Sequence, residues 1–180
     1  MMCSNTKHSI KLIEPSMDYE DNFKELVSEY KKVGEKRYFE KYKKALEDFP
    51  QFISELEKQS KGLHDEDVGA KTTTYWLTDE DEILGVIRIR HVLNSQYFRT
   101  YVGHIGCDIS PKHRNKGYGD KILNEGLHKA KEIGLNKILI TCVSNNIGSI
   151  KVIEKNGGIF ESEVYNKKID KIMRRYWVEI

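Results

Sequence analysis

The sequence predicts an α/β fold built on one mixed (α+β) sheet: six or seven strands, a parallel pair at the centre, and helices on the faces. Three observations carry that expectation. A strand-like run over residues 102–109 leads into a helical pattern from Gly117, and a short, almost wholly apolar run follows at 137–143. Strand, helix and strand in that order make a crossover, so the two strands should be parallel and the second covered on both faces. Two β-branched and aromatic runs, 73–78 and 83–92, are joined only by polar residues 79–82, which predicts an antiparallel pair.

Residues 10–13 read as a first strand, closed by Pro15. Ser16 or Asp18 then caps a helix to about Lys32, with Phe23, Leu26, Val27 and Tyr30 on one face. A second helical pattern at 38–46 carries Phe39, Tyr42 and Leu46. Pro50 breaks it, and helical spacing resumes over 51–61 through Phe52, Ile53 and Leu56. The Lys- and Glu-rich outer sides of these helices suit solvent. Residues 62–69 read as a loop. In the 83–92 strand Gly85, Ile87, Ile89 and His91 share one face. Val86, Arg88 and Arg90 share the other, where the arginines either greet an acidic substrate or face water.

Residues 94–100 read as a polar, aromatic loop. From Gly117 the helix turns Ile122, Leu123, Gly126, Leu127 and Ala130 inward, and Gly134 ends it. After the 137–143 strand, Asn145 or Asn146 caps a short helix that stops near 156–158. Runs at 159–164 and 172–180 complete the sheet. No repeat, low-complexity tract or linker interrupts residues 1–180, so they read as a single domain.

Composition excludes several classes. Lys and Arg number 30 against 28 Asp and Glu, so no field of one sign calls for a nucleic-acid partner. Cys3, Cys107 and Cys142 are odd in number and form no CxxC pair, which argues against a disulfide framework or a metal cluster and fits a reducing cytoplasm. Residues 1–15 hold no signal-peptide core, and no run reaches the length of a membrane span. A soluble cytoplasmic protein with no membrane partner is expected.

The chemistry concentrates at Arg114-Asn-Lys-Gly117-Tyr-Gly119, between a strand and an amphipathic helix. The turn is not GxGxxG, because Ile122 stands three residues after Gly119; GxxxxGK[ST], HExxH and GxSxG are absent as well. Its two glycines clear space at the backbone, Arg114 and Lys116 add charge, and the first turn of the helix offers N–H donors. A pyrophosphate suits it.

Together with its surroundings the turn resembles the GNAT superfamily of acetyl-CoA-dependent N-acetyltransferases. Ile109-Ser-Pro111 followed by Arg114-x-x-Gly117-x-Gly119 is similar to that family's signature, and Asn146-Ile-Gly-Ser149 through Gly157 to its later asparagine-led helix. The resemblance implies a GNAT-like sheet with a splayed parallel strand pair. It implies acetyl-CoA as cofactor, CoA as product and a primary amine as acceptor. Backbone amides of Asn115, Lys116, Gly117, Tyr118 and Gly119 are expected to hold the pyrophosphate, with Arg114 at the mouth of the turn. Backbone groups at Cys107 and Ile109 are expected to pair with the pantetheine arm in the splay, and Asn146, with Ser149 of the same motif, to reach the cofactor near the far strand's end.

For catalysis the resemblance implies a base on the strand before the turn, where the polar side chains are His104 and Asp108. Many family members carry a tyrosine that protonates the leaving thiolate; the matching position here is Ile153, which leaves water or a tyrosine from elsewhere. Cys107 and Cys142 read as packing rather than as nucleophiles. The helices before residue 62 and the 94–100 segment are expected to wall the acceptor site, and the acceptor is a small molecule or a protein amine. A homodimer is compatible with this reading. The alternative is a non-catalytic acyl-CoA-binding regulatory module that retains the cleft without acid–base groups. A third reading is an unrelated phosphate-ligand protein whose turn mimics the motif.

Overall fold

A computed structural model describes residues 9–63, 69–79 and 82–180. Cys3, most of the expected 62–69 loop and the middle of the 79–82 joint lie outside the described residues. The strands are β1 (Lys11–Ile13), β2 (Thr72–Thr78), β3 (Ile83–Arg90), β4 (Ile105–Ile109), β5 (Lys137–Val143), β6 (Ile159–Asn166) and β7 (Lys171–Glu179). They form one seven-stranded sheet in the order β1-β2-β3-β4-β5-β7-β6. Every neighbouring pair is antiparallel except β4 and β5, the pair that the crossover through α5 (Tyr118–Glu132) requires to be parallel.

Strand alternation sorts the core onto two faces. On one, Ile87 and Ile89 of β3, Ile105 of β4 and Ile138 and Ile140 of β5 are buried against Ile122, Leu123, Leu127 and Ala130 of α5. Helix α6 (Ile147–Lys155) packs beside α5. Gly126 allows the close approach: a Cβ there would lie 2.1 Å from Ile87 Cδ1. On the other face, α1 (Glu20–Lys32), α2 (Lys36–Tyr42), α3 (Lys44–Glu47) and α4 (Phe49–Lys61) bury a largely aromatic cluster against Trp76 and Val86. Phe23 stacks on Trp76, with ring centroids 4.7 Å apart.

Several local expectations are corrected. Pro50 begins a helix instead of breaking one: it occupies the first turn of α4, where no N–H is needed, while Asp48 caps that turn by accepting from the Gln51 N–H at 2.9 Å. The 38–46 pattern is two short helices, and Ala45 rather than the exposed Leu46 enters the core. Residues 98–102, expected partly as loop and partly as strand, form a π-helical turn. The chain enters β4 only after Gly103, which takes φ 74° and passes so close to β5 that a Cβ would sit 2.3 Å from the Leu139 carbonyl oxygen. No described helix is long and apolar enough to cross a membrane.

Candidate active site

The parallel pair separates almost as soon as it forms. Its register pairs Ile105 with Ile140 and goes no further. On the opposite side β4 stays bonded to β3: the Arg90 N–H donates to the His104 carbonyl and the Ser110 N–H to that of Leu84. Those bonds make the even-numbered residues the ones paired with β3, so the N–H and C=O groups of Cys107 and Ile109 turn towards β5. There the strand has diverged, and among the described residues only the Ile109 carbonyl is taken, by Arg114 Nε at 3.2 Å. An extended chain bearing amides can add to this edge as a strand would, which fits a pantetheine arm.

Below that edge lies the turn. Asn115 (φ 60°) and Gly117 (φ 85°) adopt the left-handed conformation that curls it, and a Cβ on Gly117 would meet nothing within 4 Å. Gly117 is the N-cap of α5 and supplies no side-chain acceptor, so the donors of the first helical turn have no side-chain cap. With Asn115, Lys116 and Gly117 exposed, the concavity suits an anion of pyrophosphate type. Gly119 serves packing instead of ligand approach: its Cβ would lie 3.3 Å from Val152 on α6.

Much of the nearby positive charge is spent internally. Arg114 grips Glu35 through both terminal nitrogens, at 2.5 and 2.9 Å. Lys112 lies 2.8–3.0 Å from Glu25, Glu29 and Glu82. These pairs fasten the turn to α1 and to the segment after it, and Lys116 is left in no ion pair among the described residues. Asn146 caps α6, accepting from the Ser149 N–H at 3.0 Å, so that its amide nitrogen is directed elsewhere. Ile153 is only 4% exposed and belongs to the aliphatic core, so this position presents nothing to a cofactor.

Neither side chain expected as a base is free to act as one. His104 Nδ1 accepts from the Leu139 N–H at 2.9 Å, so the neutral ring carries its proton on Nε2 and offers a donor there. Burial, and then the nearby Arg90, push its pKa below the ordinary imidazole value. Asp108 is almost wholly buried and accepts three hydrogen bonds. Tyr30 donates to Oδ2 at 2.8 Å, and Tyr42 and Arg88 Nη2 donate to Oδ1 at 2.8 and 2.6 Å. Arg88 Nη1 also donates to the Tyr42 hydroxyl. Arg88 therefore neither faces water nor greets a ligand with its full charge.

Sequence reasoning missed this network because Tyr30, Tyr42 and Arg88 stand 78, 66 and 20 residues from Asp108. One signal was present: a phenol on an apolar helix face needs a buried acceptor. Tyr38 is half-buried beside Tyr30, with ring centroids 5.0 Å apart. Burial, then Asp108, raises its hydroxyl pKa above the ordinary phenol value, so it holds its proton at neutral pH. Burial likewise keeps the Cys107 and Cys142 thiols protonated, each pushed up to about 11.

A sheet of this order, splayed at its parallel pair above an open glycine turn, defines the class of GNAT-like domains. The Acetyltransferase (GNAT) family model matches residues 25–158, and the chain belongs to that family. It is 33% identical over 107 residues to the uncharacterized N-acetyltransferase YnaD of Bacillus subtilis (strain 168). That match spans 57% of this chain and 57% of the relative. The fold is similar to that of the microcin C7 self-immunity acetyltransferase MccE, solved in complex with acetyl-CoA and AMP. Identity is 16% and the TM-score 0.71, over 97% of this chain and 94% of that one. It is similar also to Mycobacterium smegmatis RimJ in complex with CoA-disulfide, at 14% identity and TM-score 0.72, over 94% and 81%.

Proposed function

We propose that residues 1–180 form one N-acetyltransferase domain that moves an acetyl group from acetyl-CoA to a primary amine. The observation that carries this reading is the backbone edge of β4 at Cys107 and Ile109, which has no strand partner on the β5 side and opens above the 115–119 turn. Acetyl-CoA supplies the activated thioester. The amides of Asn115, Lys116, Gly117, Tyr118 and Gly119 hold its pyrophosphate, while Cys107 and Ile109 pair with the pantetheine arm through their backbones. Asn146 and Ser149 border the arm beyond the end of β5. Arg114 acts indirectly, by tying the turn to Glu35.

The amine attacks the thioester carbonyl directly. A C–N bond forms, the C–S bond breaks, the ammonium proton passes to water, and Tyr38 gives its proton to the departing thiolate and regains one from solvent. Burial holds both thiols in the protonated, weakly nucleophilic form, so neither cysteine serves as an acyl carrier. His104 and Asp108 act by position: His104 joins β4 to the Leu139 amide, and Asp108 holds α1 and α2 on the sheet through Tyr30 and Tyr42.

Melting temperature with acetyl-CoA, CoA, ATP and NAD tests the reading. A ligand at about 100 times its dissociation constant stabilises by roughly 2.7 kcal/mol, at ~2–4 °C per kcal/mol for this size. Acetyl-CoA and CoA alone should shift the melt, and Gly117→Trp should abolish the shift while leaving a cooperative transition. Equal shifts with ATP or NAD would sink the cofactor assignment. A CoA shift without CoA release from acetyl-CoA on any amine would leave a binding module.

A further inference from the structure

Under α2 and α4, against β2 and β3, a cleft of about 250 Å³ is walled by Phe23, Phe52 and Trp76 and lined by Lys41, Lys44 and Arg88. Lys44 is offset by Glu55 at 3.6 Å and Arg88 by Asp108 at 2.6 Å. Lys41, at the rim with its ammonium turned into the cleft lining, has no carboxylate partner among the described residues. Three basic side chains thus meet two carboxylates, and burial, then the Arg88 charge, lower the Lys41 pKa to about 6, so an anion seated beside Lys41 would draw a proton onto it. Two donors of cleft-lining residues, Trp76 Nε1 and Arg88 Nε, are buried with no acceptor among the described residues. Their residues are 0% and 8% exposed, so neither donor is satisfied by bulk water.

Arg88 is also the link between this cleft and the splayed strands. It lies opposite Gly106 in the β3–β4 register and bonds Asp108, both on β4. Arg90, two residues along the same face, lies over the Phe98 ring at 5.3 Å and donates to the Gly103 carbonyl, again without a carboxylate partner among the described residues. Burial, and then the Arg88 charge, lower its pKa to about 10.

We propose that this cleft seats a carboxylate carried by the acceptor, so that the substrate is an amino acid or a similar small amine bearing one carboxylate. One basic group without a carboxylate, charged as the anion binds, matches a monoanion better than a doubly charged phosphate, and two buried single donors plus that lysine match two carboxylate oxygens. The aromatic walls accommodate the carbon chain. The same positive field disfavours a bound ammonium, so the amine end is presented neutral and nucleophilic, and polyamines are repelled. The amine end of this inference rests on the acetyl-transfer reading; the carboxylate end does not.

The test separates the two. Calorimetric titration of the full chain with glycine, β-alanine, 4-aminobutyrate and 6-aminohexanoate, each against the amine lacking the carboxylate, should show at least one amino acid binding ten-fold or more tighter than its amine. Lys41→Glu should weaken that binding ten-fold or more, whereas Lys151→Glu, the same charge change on α6, should not. Thermal shift with acetyl-CoA serves as the folding control for both variants. If no member of the amino-acid series binds better than its amine, or both variants lose binding equally, the carboxylate seat is wrong. Carboxylate-dependent binding that needs Lys41, but no CoA release, would keep the seat and sink acetyl transfer. CoA release that is equally fast with butylamine and 4-aminobutyrate would do the reverse.

Discussion

The two faces of the sheet are built from different materials. Under α5 and α6 the buried cluster is mainly aliphatic, and its packing depends on small-residue approaches such as Gly126 on Ile87. Under α1–α4 the cluster is aromatic, and at its edge lies a buried arginine–carboxylate pair held by two tyrosines. The first face makes a stiff platform for the glycine turn. The second spends stability on polar groups that must all be satisfied together, and that arrangement sets the charge of the cleft under α2 and α4.

The sharpest way to break this comparison is to delete the carboxylate. Asp108→Ala leaves Arg88 buried and unpaired, which should cost about 3–5 kcal/mol. The melting temperature should fall by roughly ten degrees at ~2–4 °C per kcal/mol. Much of this should return in the Arg88→Met/Asp108→Leu double variant, where no charge remains to be stranded. A loss below about 1 kcal/mol would mean that water reaches the pair.

Tyr38→Phe separates chemistry from packing on the same face. Loss of a proton donor should lower kcat by about a hundred-fold with acetyl-CoA affinity unchanged, and an unchanged kcat would clear Tyr38 of the role.

On the aliphatic face the weak point is geometric. Gly126→Ala should cost about 1–3 kcal/mol by overpacking Ile87. Ile87→Val in the same chain removes the clashing methyl and should recover part of that loss in a thermal melt. Additive losses would show that the strain lies in the backbone.

The smallest effect is the pH response of His104. Its folded pKa is depressed, so the unfolded chain takes up the proton first, and stability present above the ordinary value of about 6.5 is lost as the pH falls towards the folded value. Melting curves from pH 7.5 to 5.5 should fall less steeply for His104→Gln than for the parent chain. The acid limb of the rate profile should not move, because the proton comes off the amine and goes to water.

Features with local causes were legible from residues alone. The glycine turn, the inward row from Ile122 to Ala130 and the Asn146 cap each depend on chirality, helical spacing or a hydrogen bond within one turn, and all three are found where the pattern puts them. The same reading failed at Pro50, where the residue that breaks one helix is also the one that suits the start of the next. It failed again at 98–102, because the turn there is set by Gly103 pressing on β5, a contact with residues far along the chain. Ile153 was legible as the absence of a tyrosine, but its burial on the inner face of α6 was not.

By itself, then, the amino-acid sequence determined the α/β alternation, the parallel pair and the glycine turn, because each follows from the periodicity or stereochemistry of a short stretch. Only the tertiary structure decided what the polar side chains do. His104 spends Nδ1 on a backbone amide, Asp108 collects three donors from three other elements, and Arg114 is committed to Glu35. Whether a base is free to accept a proton depends on which partners surround it, and those partners are brought in by packing across the sheet rather than by spacing along the chain.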